Sequence, residues 1–210
     1  MMKIVIFGST GETGKALVRE ALKRGHEVHA FARRPADLGV QNPHLHPVQG
    51  DVLDKATVQR AVRGMDAAIS VLGVRLGQPQ STVRSAGTAN IVAALTAEGV
   101  RRFVSGSTVG AGQHLQTLPW LARMLVPRIV GAWRLEEAGR QEEIVRGSTL
   151  DWTILRPPRL LDGEATGTYR IGEDLATGFG AKLIRGDYAR ALLDQLESSR
   201  FLRQLPTICN

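Results

Sequence analysis

The stretch Gly8-Ser9-Thr10-Gly11-Glu12-Thr13-Gly14 constrains this chain more than any other. It follows Ile4-Val5-Ile6-Phe7, an unbroken apolar run that reads as a buried strand. It precedes Lys15 to Arg24, where Leu17, Val18, Ala21 and Leu22 share one helical face and Gly25 supplies the stop. Strand, glycine turn and helix in direct succession form the frame that holds a dinucleotide. The first glycine permits a sharp turn, the second lets the backbone approach a pyrophosphate, and the third lets helix and strand pack closely. The N–H groups that open the helix then face the phosphates. The loop is not that of a nucleoside triphosphatase, because Lys15 follows without the Gly-Lys-Ser/Thr sequence.

The rest of the chain repeats the alternation. Glu27 to Phe31, Ala67 to Leu72, Arg102 to Ser105 and Asp151 to Leu155 read as strands. Helices are expected from an Asp54 N-cap to Gly64, from near Thr82 to Gly99, from Leu135 to Arg146 and from about Asp187 to Glu197. Pro157-Pro158 ends one strand, and Phe201 to Ile208 reads as an edge strand. This order implies an α/β fold: a Rossmann-type, doubly wound parallel sheet with helices on both faces. A length of 210 residues suits a single domain, residues 1–210, with the substrate-side loops after about residue 105.

A net charge of +7 favours anionic partners, but the basic residues are scattered and no run exceeds two. No nucleic acid partner is expected, and no apolar stretch is long enough to cross a membrane. The lone Cys209 cannot form an intramolecular disulfide, which points to a reducing, cytoplasmic setting and an inert thiol. Monomer or weak dimer is the expected state.

The second predicted strand ends at Phe31-Ala32-Arg33-Arg34. An NAD site commonly places Asp or Glu there for the ribose 2′-hydroxyl. Two guanidinium groups suit a 2′-phosphate instead, so NADP(H) is expected over NAD(H). The alternatives are surface charges at both positions, with Asp37 as a distant acidic group.

With Gly50-Asp51-Val52 and Leu72-Gly73-Val74-Arg75, the pattern resembles that of the short-chain dehydrogenase/reductases. The resemblance puts Asp51 and Val52 near the adenine, and residues 72–75 beside the cofactor. Phe103 to Gly110 and Asp151 to Pro158 resemble the atypical branch, closest to NAD(P)H-binding proteins of the biliverdin reductase B/flavin reductase-like and NmrA-like type. It covers most of the chain; Gln113 to Gly139 is the least recognisable part.

The chain departs from the wider superfamily in one respect. Its typical enzymes use Tyr-x-x-x-Lys for proton transfer, whereas here neither Tyr169 nor Tyr188 has Lys four residues later. Hydride transfer to a flavin, quinone or similar planar small-molecule acceptor survives that loss, because the protein mainly aligns two flat rings. Thr108 matches the family's strand-end serine and Ser107 is its neighbour; either could polarise a carbonyl, or both could simply keep the strand end open. Arg159 stands where biliverdin reductase B-like proteins carry histidine. It cannot act as an acid, but it can bind an anion. The resemblance also allows a non-catalytic, redox-sensing NADP(H)-binding protein.

The five histidines lack metal-ligand spacing, and His44-x-His46 has no Cys, Asp or Glu beside it in sequence, so no metal is expected. Glu136, Glu137, Glu142 and Glu143 read as a solvated helix face. The apolar, proline-bracketed segment Pro119 to Pro127, followed by Trp133, reads as a helix packed on the sheet, with a lid or a subunit contact as alternatives.

Overall fold

The computed structural model describes residues 1–74, 77–163, 165–173, 175, 177 and 180–210. Strand β1 (Lys3–Phe7) runs through the glycine loop into helix α1 (Glu12–Lys23), and β2 (Glu27–Ala32) follows. A short 3-10 turn (Pro35–Leu38) leads to β3 (Leu45–Gln49), then α2 (Lys55–Val62), β4 (Ala67–Ser70), α3 (Val83–Ala97) and β5 (Arg102–Gly106). Asp54 caps α2 as its position predicts, its carboxylate accepting the backbone N–H groups of Ala56 and Thr57. Next come α4 (His114–Thr117), α5 (Trp120–Val126), a π-helical turn (Pro127–Gly131), α6 (Ala132–Arg146) and β6 (Asp151–Leu155). Short strands β7 (Arg159–Leu161), β8 (Arg170–Gly172) and β9 (Lys182–Ile184) precede α7 (Arg185–Glu197) and β10 (Thr207–Cys209).

The main sheet has the order β3-β2-β1-β4-β5-β6, all parallel. Its chain order reverses between β1 and β4, and there the crossovers leave to opposite sides and open a crevice at the strands' carboxyl ends. Ile4, Val5, Ile6 and Phe7 are wholly buried because both faces are covered. Leu17, Val18 and Ala21 of α1 pack with Leu192, Leu193 and Leu196 of α7 on one face. Val58 and Val62 of α2 and Ile91 and Leu95 of α3 pack on the other with Phe31 and Phe103.

The structure alters several sequence expectations. Helix α1 starts at Glu12, so Glu12, Thr13 and Gly14 form its first turn. Strand β3 was not expected as part of the sheet: His46 and Pro47 break its apolar pattern, which a strand on the sheet's edge tolerates. The C-terminal edge segment is split. Gln204 bridges to Thr153 of β6 and Thr207 to Arg156 just past it, while β10 pairs antiparallel with β8 and buries Cys209. Residues 120–129 keep most of their large apolar side chains off the core: Trp120 is 72% exposed and Ile129 66%, Leu121 and Met124 are exposed as well, and Ala122 alone of the segment is buried.

Two glycines are dictated by close approach. Gly8 has φ +80°, and a Cβ there would lie 2.9 Å from the Val71 carbonyl oxygen. A Cβ on Gly14 would lie 2.1 Å from the Gly8 carbonyl oxygen and 2.7 Å from Ser9 backbone atoms. Gly14→Ala is therefore expected to destabilise the fold by about 3 kcal/mol, the upper end for overpacking, because backbone must move. Urea unfolding checks this, and a midpoint equal to wild type would contradict it.

Candidate dinucleotide and acceptor site

The glycine loop wraps the carboxyl end of β1. The Ser9 hydroxyl is buried and donates to the Phe31 carbonyl at 2.9 Å, so it ties the loop to β2 instead of facing outward. Gly11 differs from its two partners. Its φ is −71°, and a Cβ there would meet only the Gly8 carbonyl oxygen at 3.4 Å. The chain's own packing does not demand glycine at this position, whereas close approach of a pyrophosphate does. Thr10 and Thr13 are half-buried beside it, and Glu12 is exposed. The residues present thus fit a dinucleotide.

The second strand's end delivers Arg33 and Arg34 to solvent. Arg34 pairs with Asp37 at 3.1 Å, whereas Arg33 has no hydrogen-bond or ion-pair partner among the described residues. Asp51 spends one carboxylate oxygen on the Leu53 N–H, and its main-chain carbonyl accepts the Thr57 hydroxyl. Val52 is buried against Gly87, and its carbonyl accepts from the Asn90 side chain. Leu72 and Val74 are half-buried after β4, and nothing stands within 4 Å of a Cβ on Gly73. Arg75 lies outside the described residues.

Arg185 also belongs to this region, though the sequence pattern did not single it out. Its guanidinium donates to the Thr13 hydroxyl at 3.1 Å and pairs with Asp162 at 2.9 Å. It is the first residue of α7, where the helix dipole disfavours a cation. That mismatch is the sequence signal that could have found it: a cation at a helix start needs anions nearby.

Beyond β5 and β6 lies a buried polar lattice. Arg156 grips Glu142 with two hydrogen bonds, at 2.8 and 2.6 Å, and the Ser107 hydroxyl donates to the same carboxylate at 2.6 Å. Gln141 donates to Ser105 Oγ at 2.6 Å and to the Gly106 carbonyl, which also accepts from Arg84. Glu137 accepts from the Ser85 hydroxyl at 2.8 Å. Glu137 and Glu142 are therefore buried against α3 and the strand ends, 5% and 4% exposed, and only Glu136 and Glu143 are solvated as expected. Apart from Arg140, an i,i+3 partner of Glu137, their partners come from other elements, which a helical-face reading cannot see.

Thr108 stands next to this lattice but outside it; its hydroxyl makes only a 3.5 Å contact with the Val109 carbonyl. Pro157 is buried, and its carbonyl accepts the Val109 N–H, which fastens the loop after β5 to the one after β6. Pro158 is half-buried and Arg159 is exposed, without an ion pair among the described residues. Both tyrosines are engaged. The Tyr188 hydroxyl donates to the Leu155 carbonyl at 3.0 Å, and that of Tyr169 to Asp194. Burial, first of all, pushes both phenols well above their ordinary pKa.

A cavity of about 630 Å³ lies on the outer side of α6, lined by His114, Leu118, Glu142, Arg146 and Arg156 among others. Burial and the nearby Arg156 charge lower the His114 pKa, and its Nδ1 accepts the Gly110 N–H at 3.0 Å. His29 and His46 meet Glu27 at the other end of the sheet, a grouping taken up below.

Sheet order, glycine turn and strand-end crevice together define a dinucleotide-binding Rossmann domain. An NAD(P)H-binding family model matches residues 8–199, and the chain belongs to that family. It is 31% identical over 205 residues to the uncharacterized protein YwnB of Bacillus subtilis, covering 93% of this chain and 92% of that one. The fold matches a short-chain dehydrogenase/reductase (wide type) from Veillonella parvula in complex with NADP, with TM-score 0.85, 17% identity, and coverage of 100% of this chain and 94% of that one. It also matches ChuY, an anaerobilin reductase from Escherichia coli O157:H7, with TM-score 0.79, 22% identity, and coverage of 98% and 96%. Other curated relatives named as dehydrogenases or reductases are longer, and the chain spans 33–38% of their length. The family match makes the chain an NAD(P)H-binding protein.

Removing one member of the buried lattice leaves its partner charged and unpaired. Arg156→Met strands the Glu142 carboxylate and is expected to cost about 3–5 kcal/mol of stability at neutral pH. Chemical unfolding measures it. An unfolding midpoint equal to wild type would contradict this account.

Proposed function

We propose that the chain is an NADPH-dependent reductase that passes hydride to a flavin, quinone or similar planar acceptor without a tyrosine–lysine couple. The observation that carries this reading is a dinucleotide frame beside strand ends at which neither tyrosine is free to act as an acid. Gly8, Gly11 and Gly14, with the first N–H groups of α1 and the side chains of Thr10 and Thr13, hold the pyrophosphate. Arg185 adds a guanidinium to the same phosphates. Arg33, with Arg34 beside it, takes the 2′-phosphate, because Arg33 is the unpaired cation at the end of β2. Asp51 and Val52 border the adenine, and Leu72, Gly73 and Val74 line the far side of the cofactor with Pro157 and Pro158.

The bound nicotinamide supplies the hydride. The Thr108 hydroxyl, with no strong internal partner, donates a hydrogen bond to the acceptor's carbonyl and orients it. Ser107 works through position: its proton is given to Glu142, which fixes the strand end from which Thr108 projects. Arg159 offers an anion site at the rim, suited to an acceptor's phosphate or carboxylate.

NADPH oxidation with riboflavin, FMN and simple quinones tests the activity. Tight NADPH binding with no turnover across that panel would overturn it and favour a cofactor-sensing protein. Two substitutions separate the cation roles. Arg33→Ala should weaken NADPH by about 1.5–3 kcal/mol, the range for charged hydrogen bonds, and leave NADH unchanged. Arg185→Met should weaken both equally, since both carry the pyrophosphate. Calorimetry with each nucleotide reads the difference, and an Arg33→Ala loss shared by NADH would refute the 2′-phosphate assignment.

A further inference from the structure

Glu27 and His29 lie on β2, and His46 lies opposite His29 in the register of β3. All three side chains belong to the face on which Phe31 packs, because Val28 and Ala30 alternate onto the other. Apolar residues would extend the core here. Instead the chain carries two imidazoles and a carboxylate, 20% exposed at Glu27, 23% at His29 and 46% at His46. Departures from apolar patterning of this kind concentrate at functional positions.

The three donors converge on one point. His29 Nε2 lies 3.2 Å from Glu27 Oε1, and His46 Nε2 lies 3.5 Å from the same oxygen. All the candidate ligand atoms fall within 4.8 Å of one another. The two imidazoles stand side by side, centroids 4.8 Å apart and tilted by 33°, with both Nε2 atoms turned toward that carboxylate. Two donors bound tetrahedrally to zinc at about 2.0–2.1 Å each stand about 3.3 Å apart. The two carboxylate–imidazole separations bracket that edge length, but the ligand atoms span up to 4.8 Å, so a metal ion enters only when one side chain, the more exposed His46, swings inward.

We propose that Glu27, His29 and His46 form a binding site for a zinc-type divalent cation, with the fourth position open to water. Imidazole and carboxylate donors without thiolate select zinc and its borderline neighbours over magnesium or calcium. Lys3 is the competing group. Its ammonium lies 3.8 Å from Glu27 Oε2, the other carboxylate oxygen, and its side chain is 53% exposed, so it can swing away without unpacking anything. The Asp66 carboxylate, nearby, is occupied by the Lys3 backbone N–H.

The site would staple β3, the edge strand, to β2. It stands toward the amino ends of the strands, with His29 three residues, about 10 Å along β2, from Ala32 beside the loop that holds the dinucleotide. Metal binding and cofactor binding are therefore independent, and the proposal does not rest on the reductase reading.

The test uses the untagged full chain, stripped with chelator. Zinc affinity is read by competition with a chromophoric chelator, and cobalt(II) substitution reports geometry through its visible bands. One equivalent of zinc and the intense visible spectrum of four-coordinate cobalt are expected. His46→Ala and Glu27→Gln should each weaken zinc by roughly tenfold or more. His44→Ala, an exposed neighbour whose side chain takes no part, should bind as wild type does. Zinc should raise the melting temperature of wild type and His44→Ala but not of His46→Ala. His46 is exposed on an edge strand, so that variant is expected to fold, and nucleotide binding by it confirms that it has. Absence of stoichiometric zinc, wild-type affinity in folded His46→Ala, or equal losses in His44→Ala and His46→Ala would each overturn the proposal.

Discussion

The approach of α1 to the end of β1 governs the rest of this molecule. Gly14 touches the Gly8 and Ser9 backbone so closely that any side chain at 14 would overlap main-chain atoms. That contact brings the amino end of α1 to the carboxyl end of the central strand. Two consequences follow from one packing constraint. The helix's unpaired N–H groups are aimed into the crevice between β1 and β4, and the crevice has a floor of backbone, not side chains. Ser9 reinforces the arrangement by donating inward to Phe31. The cofactor end of the protein is thus built mainly from main chain, whose geometry depends on glycine and little else.

The ends of β5 and β6, where the proposed acceptor would sit, are built on the opposite principle. Glu142, Arg156 and Ser107 join α6 to β5 and β6 through side chains alone, at the buried edge of the cavity that Glu142 and Arg156 line. Desolvating an arginine–glutamate pair costs energy that its attraction offsets only with good geometry and further hydrogen bonds. Here the guanidinium is bidentate and the carboxylate has a third donor, so that condition is met. A fully satisfied lattice of this kind fixes the relative positions of strand ends and helix. Apolar packing could hold α6 equally well, but it would set the direction of the Thr108 loop less sharply.

This contrast explains what could be read from sequence. The glycine loop, the alternation of strands and helices and the Asp54 cap are local signals, carried by residues within a few positions of one another. Strand β3 escaped because an edge strand needs neither continuous apolar residues nor every N–H, so His46 and Pro47 are tolerated there. Glu137 and Glu142 were misread because a helix's own pattern does not reveal Ser85, Ser107 or Arg156, each supplied by another element. The Pro119–Pro127 segment failed for a related reason. Apolar spacing predicts burial only where a partner surface exists, and the sheet offers none to Trp120 or Ile129. Arg185 was legible in principle, since a cation opening a helix opposes the dipole, but its meaning required knowing that α1 begins alongside.

Main chain and side chains differ in how much sequence change they tolerate. Main-chain recognition of a pyrophosphate survives wide sequence change, because only three glycines and one helix start must persist. Side-chain recognition of an acceptor does not, because each polar contact needs its partner. Tyr188 illustrates the point: its phenol is spent on the Leu155 carbonyl beneath Gly106, where a Cβ would come within 2.7 Å of the hydroxyl. A tyrosine committed to holding two strand ends together cannot also deliver a proton above them. Under the proposed reductase reading, chemistry at this end rests on groups whose hydrogen-bonding capacity the lattice has left over, and Thr108, whose hydroxyl makes only a 3.5 Å internal contact, is one of them.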